Sequence, residues 1–161
     1  MVDGETRLLI LGSLPGDASL KAAQYYAHPR NAFWRLLETV LGEPLVALPY
    51  DDRLATLRSR GVGLWDVVAE AERRGSLDAA ILNPSANDLL ALVDTLPNLR
   101  AVAFNGGTSA KLGARLLAPV AGRIEMIALP SSSPAHAARS FAEKAKAWSV
   151  LEDRLSPTRD D

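Results

Sequence analysis

Residues 8–34 read LLILGSLPGDASLKAAQYYAHPRNAFW, and the fold turns on how this stretch is interpreted. Leu8, Leu9, Ile10 and Leu11 form a short unbroken apolar run that Gly12 ends. That pattern reads as a strand buried on both faces, with a segment of buried helix as the alternative. Gly12-Ser13-Leu14-Pro15-Gly16 follows, and its glycines bring backbone close to whatever lies at the strand's carboxyl end, having no side chain to hold a ligand off. In open parallel sheets that end is the usual ligand crevice. Tyr25, Tyr26, His28, Asn31, Phe33 and Trp34 then crowd together in a chain that is only 6% aromatic overall. Such a tract suits a flat, polar, ring-shaped ligand. Phe33 and Trp34 also suit the core face of the helix that follows. Tyr25 and Tyr26 precede Pro29, which disfavours helical backbone at His28, so they belong to a loop. There Tyr26 either stacks on a ligand or packs against the loop itself.

Outward from this stretch the chain alternates strand and helix. Asn31 is a plausible N-cap for a helix from Ala32 to about Leu41, with Phe33, Leu36, Leu37 and Val40 on one face and Gly42 and Pro44 as the stop. Residues 51–60 read as a helix, acidic at its start and basic at its end, closed by Gly61. Residues 62–68 are a strand or buried loop, with Trp65 as a core ring beside the Asp66 carboxylate. Residues 69–74 are a short helical stretch, and Gly75-Ser76 turns into the apolar 77–82. Asn83 to Asp88 are turn formers, and Asn87 or Asp88 suits the cap of a helix over 89–96; Asn83 and Asn87 equally suit a base edge. Residues 99–104 are a further strand, followed by a glycine turn and a helix to about Leu117. The turn matches neither common phosphate-loop pattern. Residues 124–129 are the last strand. Ser133 as N-cap with Pro134 at the first helical position predicts a final helix from about Pro134 to Leu155. The tail, 156–161, is expected to fray. The class is therefore α/β: a three-layer α/β/α sandwich around a mostly parallel sheet, one domain over 1–161, with loops 12–31 and 130–136 at strand carboxyl ends.

The size, 161 residues with 48% hydrophobic and 23% charged, fits an ordinary soluble domain. No apolar stretch approaches the roughly 20 residues of a membrane span, and MVDGETR has no apolar signal core, so cytoplasmic residence is expected. With no cysteine, disulfides, thiolate nucleophiles and cysteine-ligated iron–sulfur clusters are excluded. His28 and His136 are the only histidines and have no paired-ligand spacing, so neither a metal site nor any other cofactor is expected. A net charge of −1 argues against a large nonspecific electrostatic grip on DNA, while leaving room for a local patch and backbone amides.

GSLPG with YYAHPRNAFW, then GVGLWDV, GSLDAAI with NDL, FNGG and LPSSSPAHA, in that order from about Leu8 to Trp148, resemble the uracil-DNA glycosylase superfamily, most closely its hypoxanthine-DNA glycosylase branch. Each piece alone is weak and the set is specific. The resemblance implies a monofunctional enzyme of base excision repair. It would flip a deaminated nucleotide out of DNA and hydrolyse its N-glycosidic bond, acting on hypoxanthine first and on uracil or xanthine also.

The resemblance also implies roles. Tyr26 stacks the base; Gly12, Ser13, Leu14, Pro15 and Gly16 lend backbone to it and to the bound water; His28 and Asn87 line its site, with Asn83 competing for the place of Asn87. Ser131, Ser132, Ser133 and Pro134 hold DNA phosphates at a helix N-terminus, and His136, in that first turn, donates a hydrogen bond to the departing base. One departure matters. Leu14 stands where uracil-releasing relatives carry an acidic residue and mismatch-specific ones an asparagine, and it cannot orient water. The hypoxanthine branch relies instead on the asparagine of its HPxN motif, here Asn31, with Asp17 as the next candidate. No lysine is marked for Schiff-base chemistry. The implied partner is DNA containing deaminated bases, and a monomer is expected. Two other classes stay open: a non-catalytic nucleotide or nucleic-acid binding module, and a hydrolase of free nucleosides.

Overall fold

The structure, a computed structural model, describes residues 1–13, 17–67 and 86–155. Its centre is strand β1, Leu8–Gly12, buried at all five positions. β1 pairs in parallel with β2, Val62–Asp66, on one side and with β3, Ala101–Asn105, on the other. β4, Glu125–Leu129, adds in parallel to β3, so the order is β2-β1-β3-β4. Parallel strands need crossovers, and helices supply them on both faces. After β1 come α1, Asp17–Ala22, α2, Phe33–Leu41, and α3, Tyr50–Ser59. Then follow α4, Ala86–Asp94, α5, Gly107–Leu116, α6, Phe141–Trp148, and the short α7, Glu152–Leu155.

Alternation along β1 builds two cores. Leu8 and Ile10 face Phe33, Leu36, Leu37 and Val40 of α2, Leu57 of α3 and Trp148 of α6. Leu9 and Leu11 face Leu89 and Val93 of α4 and Leu112 and Leu116 of α5. The result is the expected three-layer α/β/α arrangement, with every described strand parallel. Gly42 at φ +67° and Gly61 at φ +75° close α2 and α3 in the left-handed region that glycine enters without strain. Among the described residues no helix is long and apolar enough to cross a membrane.

Four local expectations are corrected. The segment 17–22, read as loop, is the helix α1. Asn87 and Asp88 lie inside α4, which begins at Ala86, so neither caps it from outside. Trp65 is 39% exposed, because alternation sends its fully buried neighbour Leu64 into the core and Trp65 to the opposite face of β2. The last helix starts at Phe141 instead of Pro134: Ser140 and Glu143 form a capping box there, each side chain accepting from the other's backbone N–H. That box meets two free donors at once, whereas the Ser133 hydroxyl accepts from Ala135 N–H only two residues on and makes a tight turn. The readings of 69–74 and 77–82, of Asn83, and of the tail lie outside the described residues.

Candidate active site

The carboxyl ends of β1, β2 and β3 lie side by side, and each closes an apolar strand with a residue of another kind: Gly12, Asp66 and Asn105. Gly12 and Asp66 are register partners. A Cβ on Gly12 would come within 2.5 Å of Asp66 Oδ1 and 3.2 Å of the Tyr26 hydroxyl, so glycine here makes room for both groups. Burial pushes the Asp66 carboxyl up to about 6, with the Met1 α-ammonium opposing. Burial raises the Tyr26 hydroxyl as well, nearby Asp66 adds to the rise, and the Asn105 amide works against it.

Of the two adjacent tyrosines, Tyr26 brings its hydroxyl to the strand ends. Tyr25 is tied down elsewhere: its N–H donates to the Tyr50 hydroxyl at 2.9 Å and its carbonyl accepts from Trp34 Nε1 at 3.3 Å. Its own hydroxyl, pushed up to about 12 mainly by burial, lies 3.4 Å from the Met1 nitrogen. One face of the Tyr26 ring stacks on Phe33, with centroids 3.7 Å apart and planes 19° from parallel. Phe33 meets Trp148 edge-on at 5.9 Å, and Trp148 Nε1 donates to the Pro130 carbonyl at 2.9 Å. An aromatic ladder thus joins the first loop to the serine turn. Tyr26 holds φ at +54°, a left-handed value unusual for a tyrosine.

The Asn31 Oδ1 accepts the Phe33 N–H at 3.0 Å, which fixes the plane of its amide at the start of α2. The expected N-cap is corrected: α2 begins at Phe33 with Ala32 in the cap position and no side-chain cap bond, so Asn31 stands one residue before the cap and its bond to Phe33 N–H closes a tight turn instead. Ala32 N–H donates to the Ser132 carbonyl at 3.0 Å, stitching the two loops together. His28 is exposed, and its Nδ1 accepts the Arg30 N–H at 3.1 Å, leaving Nε2 as the donor of the neutral ring.

Ser132 is buried, and Asn105 grips it twice: the Ser132 N–H donates to Asn105 Oδ1 and Asn105 Nδ2 donates to the Ser132 hydroxyl, both at 2.9 Å. Ser132 is therefore a brace, while Ser131 and Ser133 are partly exposed and Pro134 and His136 exposed. The Ser133 carbonyl receives the His136 N–H at 3.1 Å and the Lys144 ammonium at 3.4 Å. His136 thus sits in a turn outside any helix. The expected helix N-terminus at Ser131 to Pro134, with His136 in its first turn, is therefore not present.

Ser13, partly exposed, follows Gly12 directly at the strand end. Leu14, Pro15 and Gly16 lie outside the described residues, as do the side chains of Asp17 and Asn87. Asn105 was read in the sequence only as part of a glycine turn, and Asp66 only as a carboxylate beside a ring. The available signal was a polar residue ending an apolar run, in VGLWD and in AVAFN. Among the described residues no group of three or more histidine, aspartate or glutamate side chains is placed to hold a metal ion.

Comparison with known proteins bears on this geometry. The family described as the uracil DNA glycosylase superfamily matches residues 1–152. The chain is 46% identical over 109 residues to a hypoxanthine DNA glycosylase of Methanosarcina barkeri, covering 68% of this chain and 69% of that one. It is 43% identical over 106 residues to a hypoxanthine DNA glycosylase of Methanosarcina acetivorans, covering 66% and 67%. A solution NMR structure from M. acetivorans, provisionally assigned as a uracil DNA glycosylase, superposes with a TM-score of 0.78 at 35% identity, over 96% of this chain and 94% of the other.

Proposed function

The chain belongs to the uracil DNA glycosylase superfamily, and from that premise we propose a monofunctional DNA glycosylase. It hydrolyses the N-glycosidic bond of a deaminated base flipped from DNA, hypoxanthine first and uracil or xanthine also. The observation that carries this reading is the meeting of Tyr26, Asp66 and Asn105 at the strand ends, beside an Asn31 whose loop is bonded to the serine turn.

In this reading the Tyr26 face turned away from Phe33 stacks the base. Asn31 orients the water: with one Oδ1 lone pair engaged by Phe33 N–H, the second accepts from water, and Nδ2, which meets no acceptor among the described residues, can donate. An amide is a weak base, and that suffices where the sugar carbon becomes strongly electrophilic as the bond to the base breaks. Asp17 is the next candidate for the water. Gly12 and Ser13, together with Leu14 to Gly16, present backbone to the base, and His28 and Asn87 complete its surroundings. Ser131, Ser133, Pro134 and His136 form the DNA-facing turn, which Ser132 holds in place from within. A cytoplasmic monomer that uses no metal completes this reading.

The test is a set of duplex oligonucleotides with one deoxyinosine, deoxyuridine or deoxyxanthosine, incubated with the protein and then treated with alkali. Strand cleavage at the inosine site only after alkali is the expected result. No cleavage of any of the three, with DNA binding intact, would leave a non-catalytic binding module in its place.

A further inference from the structure

Lys144 lies in α6 with only 6% of its surface exposed, although lysine is almost never so covered unless its charge is paired. Glu143, its neighbour in sequence, is engaged in the capping box, where its carboxylate accepts from the Ser140 N–H and hydroxyl. No ion pair joins Lys144 to a carboxylate among the described residues. Its ammonium carries three donors, and the acceptor they meet there is the Ser133 carbonyl at 3.4 Å, which already receives the His136 N–H. Burial makes the ammonium give up its proton more readily than an ordinary lysine does. Its place at the end of the first turn of α6 also sets it against the positive end of the helix dipole. A cation kept under these conditions lacks its anion.

The position of the ammonium says which anion would suit it. Lysine reaches such a place by covering its stem and bringing its tip to a rim, here the partly exposed Ser133. Within the same turn Ser131 Oγ accepts the Ser133 N–H at 3.1 Å, and Ser133 Oγ accepts the Ala135 N–H at 3.2 Å. A hydroxyl that accepts keeps its own hydrogen, and neither hydrogen meets an acceptor among the described residues. Two O–H donors and one ammonium thus call for an anion with several oxygens.

We infer that Lys144 binds a phosphodiester of the DNA strand that lies on the serine turn, giving a charge to a turn that has none between Ser131 and Ala135. This rests on the glycosylase reading above and names the cation of its DNA grip. A net charge of −1 gives the chain no bulk attraction to DNA, so individually placed cations matter more. A largely desolvated ammonium also attracts a phosphate more strongly than a hydrated surface lysine does.

Lys144→Met keeps the length of the stem and removes the charge. Fluorescence anisotropy on a duplex with one tetrahydrofuran abasic analogue, between about 50 and 200 mM salt, counts neutralised phosphates from the slope of log affinity against log salt. The Met variant should show a slope shallower by about 0.9 and bind about fivefold or more weakly at the low-salt end, the loss of one phosphate contact. Its melting temperature should equal or exceed that of the natural protein, because a buried charge is gone. Lys144→Arg should keep the slope, and so should Lys146→Met, which takes the same charge from an exposed position of the same helix. Should Lys144→Met fail to fold, Lys144→Gln gives the same reading. A Met variant that melts lower and keeps the natural slope makes Lys144 a brace for the Ser133 carbonyl and overturns the inference. Equal slope changes at Lys144 and Lys146 overturn it too, by reducing the effect to net charge. Base release measured in parallel separates the two readings. A natural protein that releases neither hypoxanthine, uracil nor xanthine, while its Lys144→Met slope still shifts, loses the glycosylase reading and keeps the phosphate site.

Discussion

Asn105 and Ser132, 27 residues apart, are joined by a pair of buried 2.9 Å hydrogen bonds that fasten the end of β3 to the turn after β4. Since Ser132 also accepts the Ala32 N–H, this pair supports the loop that carries Asn31. Truncating Asn105 strands a buried backbone N–H and a hydroxyl, at a cost of about 2–4 kcal/mol. Ser132→Ala removes only the hydroxyl bond and should cost about 1 kcal/mol. Urea denaturation of both variants checks the ordering, and equal costs would refute the bracing role.

Asn31 is predicted to act twice, and the two effects separate. Asn31→Ala gives up the bond to Phe33 N–H, for about 1 kcal/mol of stability. It should also slow base release by about 100-fold or more while leaving DNA affinity intact. Asn31→Asp keeps an acceptor for Phe33 N–H and should recover the stability. If Asn31→Ala loses stability alone, with its rate per folded molecule unchanged, Asn31 has no part in the chemistry.

Tyr26→Ala removes a stacking face and should lower base release by roughly 5- to 150-fold, the equivalent of about 1–3 kcal/mol per stacked base. Tyr26→Phe keeps the ring and should retain most of that rate. The backbone makes a second, unusual prediction. At φ +54° glycine is unstrained and alanine is not, so Tyr26→Gly should match or exceed Tyr26→Ala in thermal stability, against the usual order.

Asp66 links stability to pH. Its folded-state value of about 6 lies above the ordinary aspartate value of 3.8, so the folded protein binds this proton more tightly than the unfolded chain. The contribution is favourable below about 4, falls as pH rises through 6, and is flat beyond. Asp66→Asn has no charge to bury and should be more stable than the natural protein at pH 8, by at most about 3 kcal/mol at 1.36 kcal/mol per pH unit. The gain should vanish near pH 4. Melting curves at the two pH values measure it, and a gain of equal size at both would mean that burial of the charge is not the cause. Stability lost to a charged group at a ligand crevice is the usual mark of a functional residue.

Much of the architecture is legible from local rules. The run Leu8 to Leu11 required cover on both sides, and that alone calls for a central parallel strand with helices on each face. The spacing of Phe33, Leu36, Leu37 and Val40 marked the buried side of α2, and Gly42 and Gly61 marked two helix ends, because each signal lies within one or two turns of its effect. The ordered motifs pointed to the family, and the position of Asn31 in HPRN singled it out. Tertiary structure decided the rest. Whether Tyr25 or Tyr26 reaches the strand ends depends on Tyr50 and Trp34, and whether Trp65 is covered depends on its place in the sheet. Ser133-Pro134 is a good helix start taken alone, yet it yields to the capping box at Ser140, because the turn it occupies is bonded through Ser132 to Asn105 and Ala32 and through its own carbonyl to Lys144. Asp66 acquires its upward-shifted carboxyl, harder to ionise, and Asn105 its bracing role, only when strands distant in sequence end together. Period and capping act over a few residues, whereas burial and paired hydrogen bonds act across space, and the chemistry of this protein lies in the second kind.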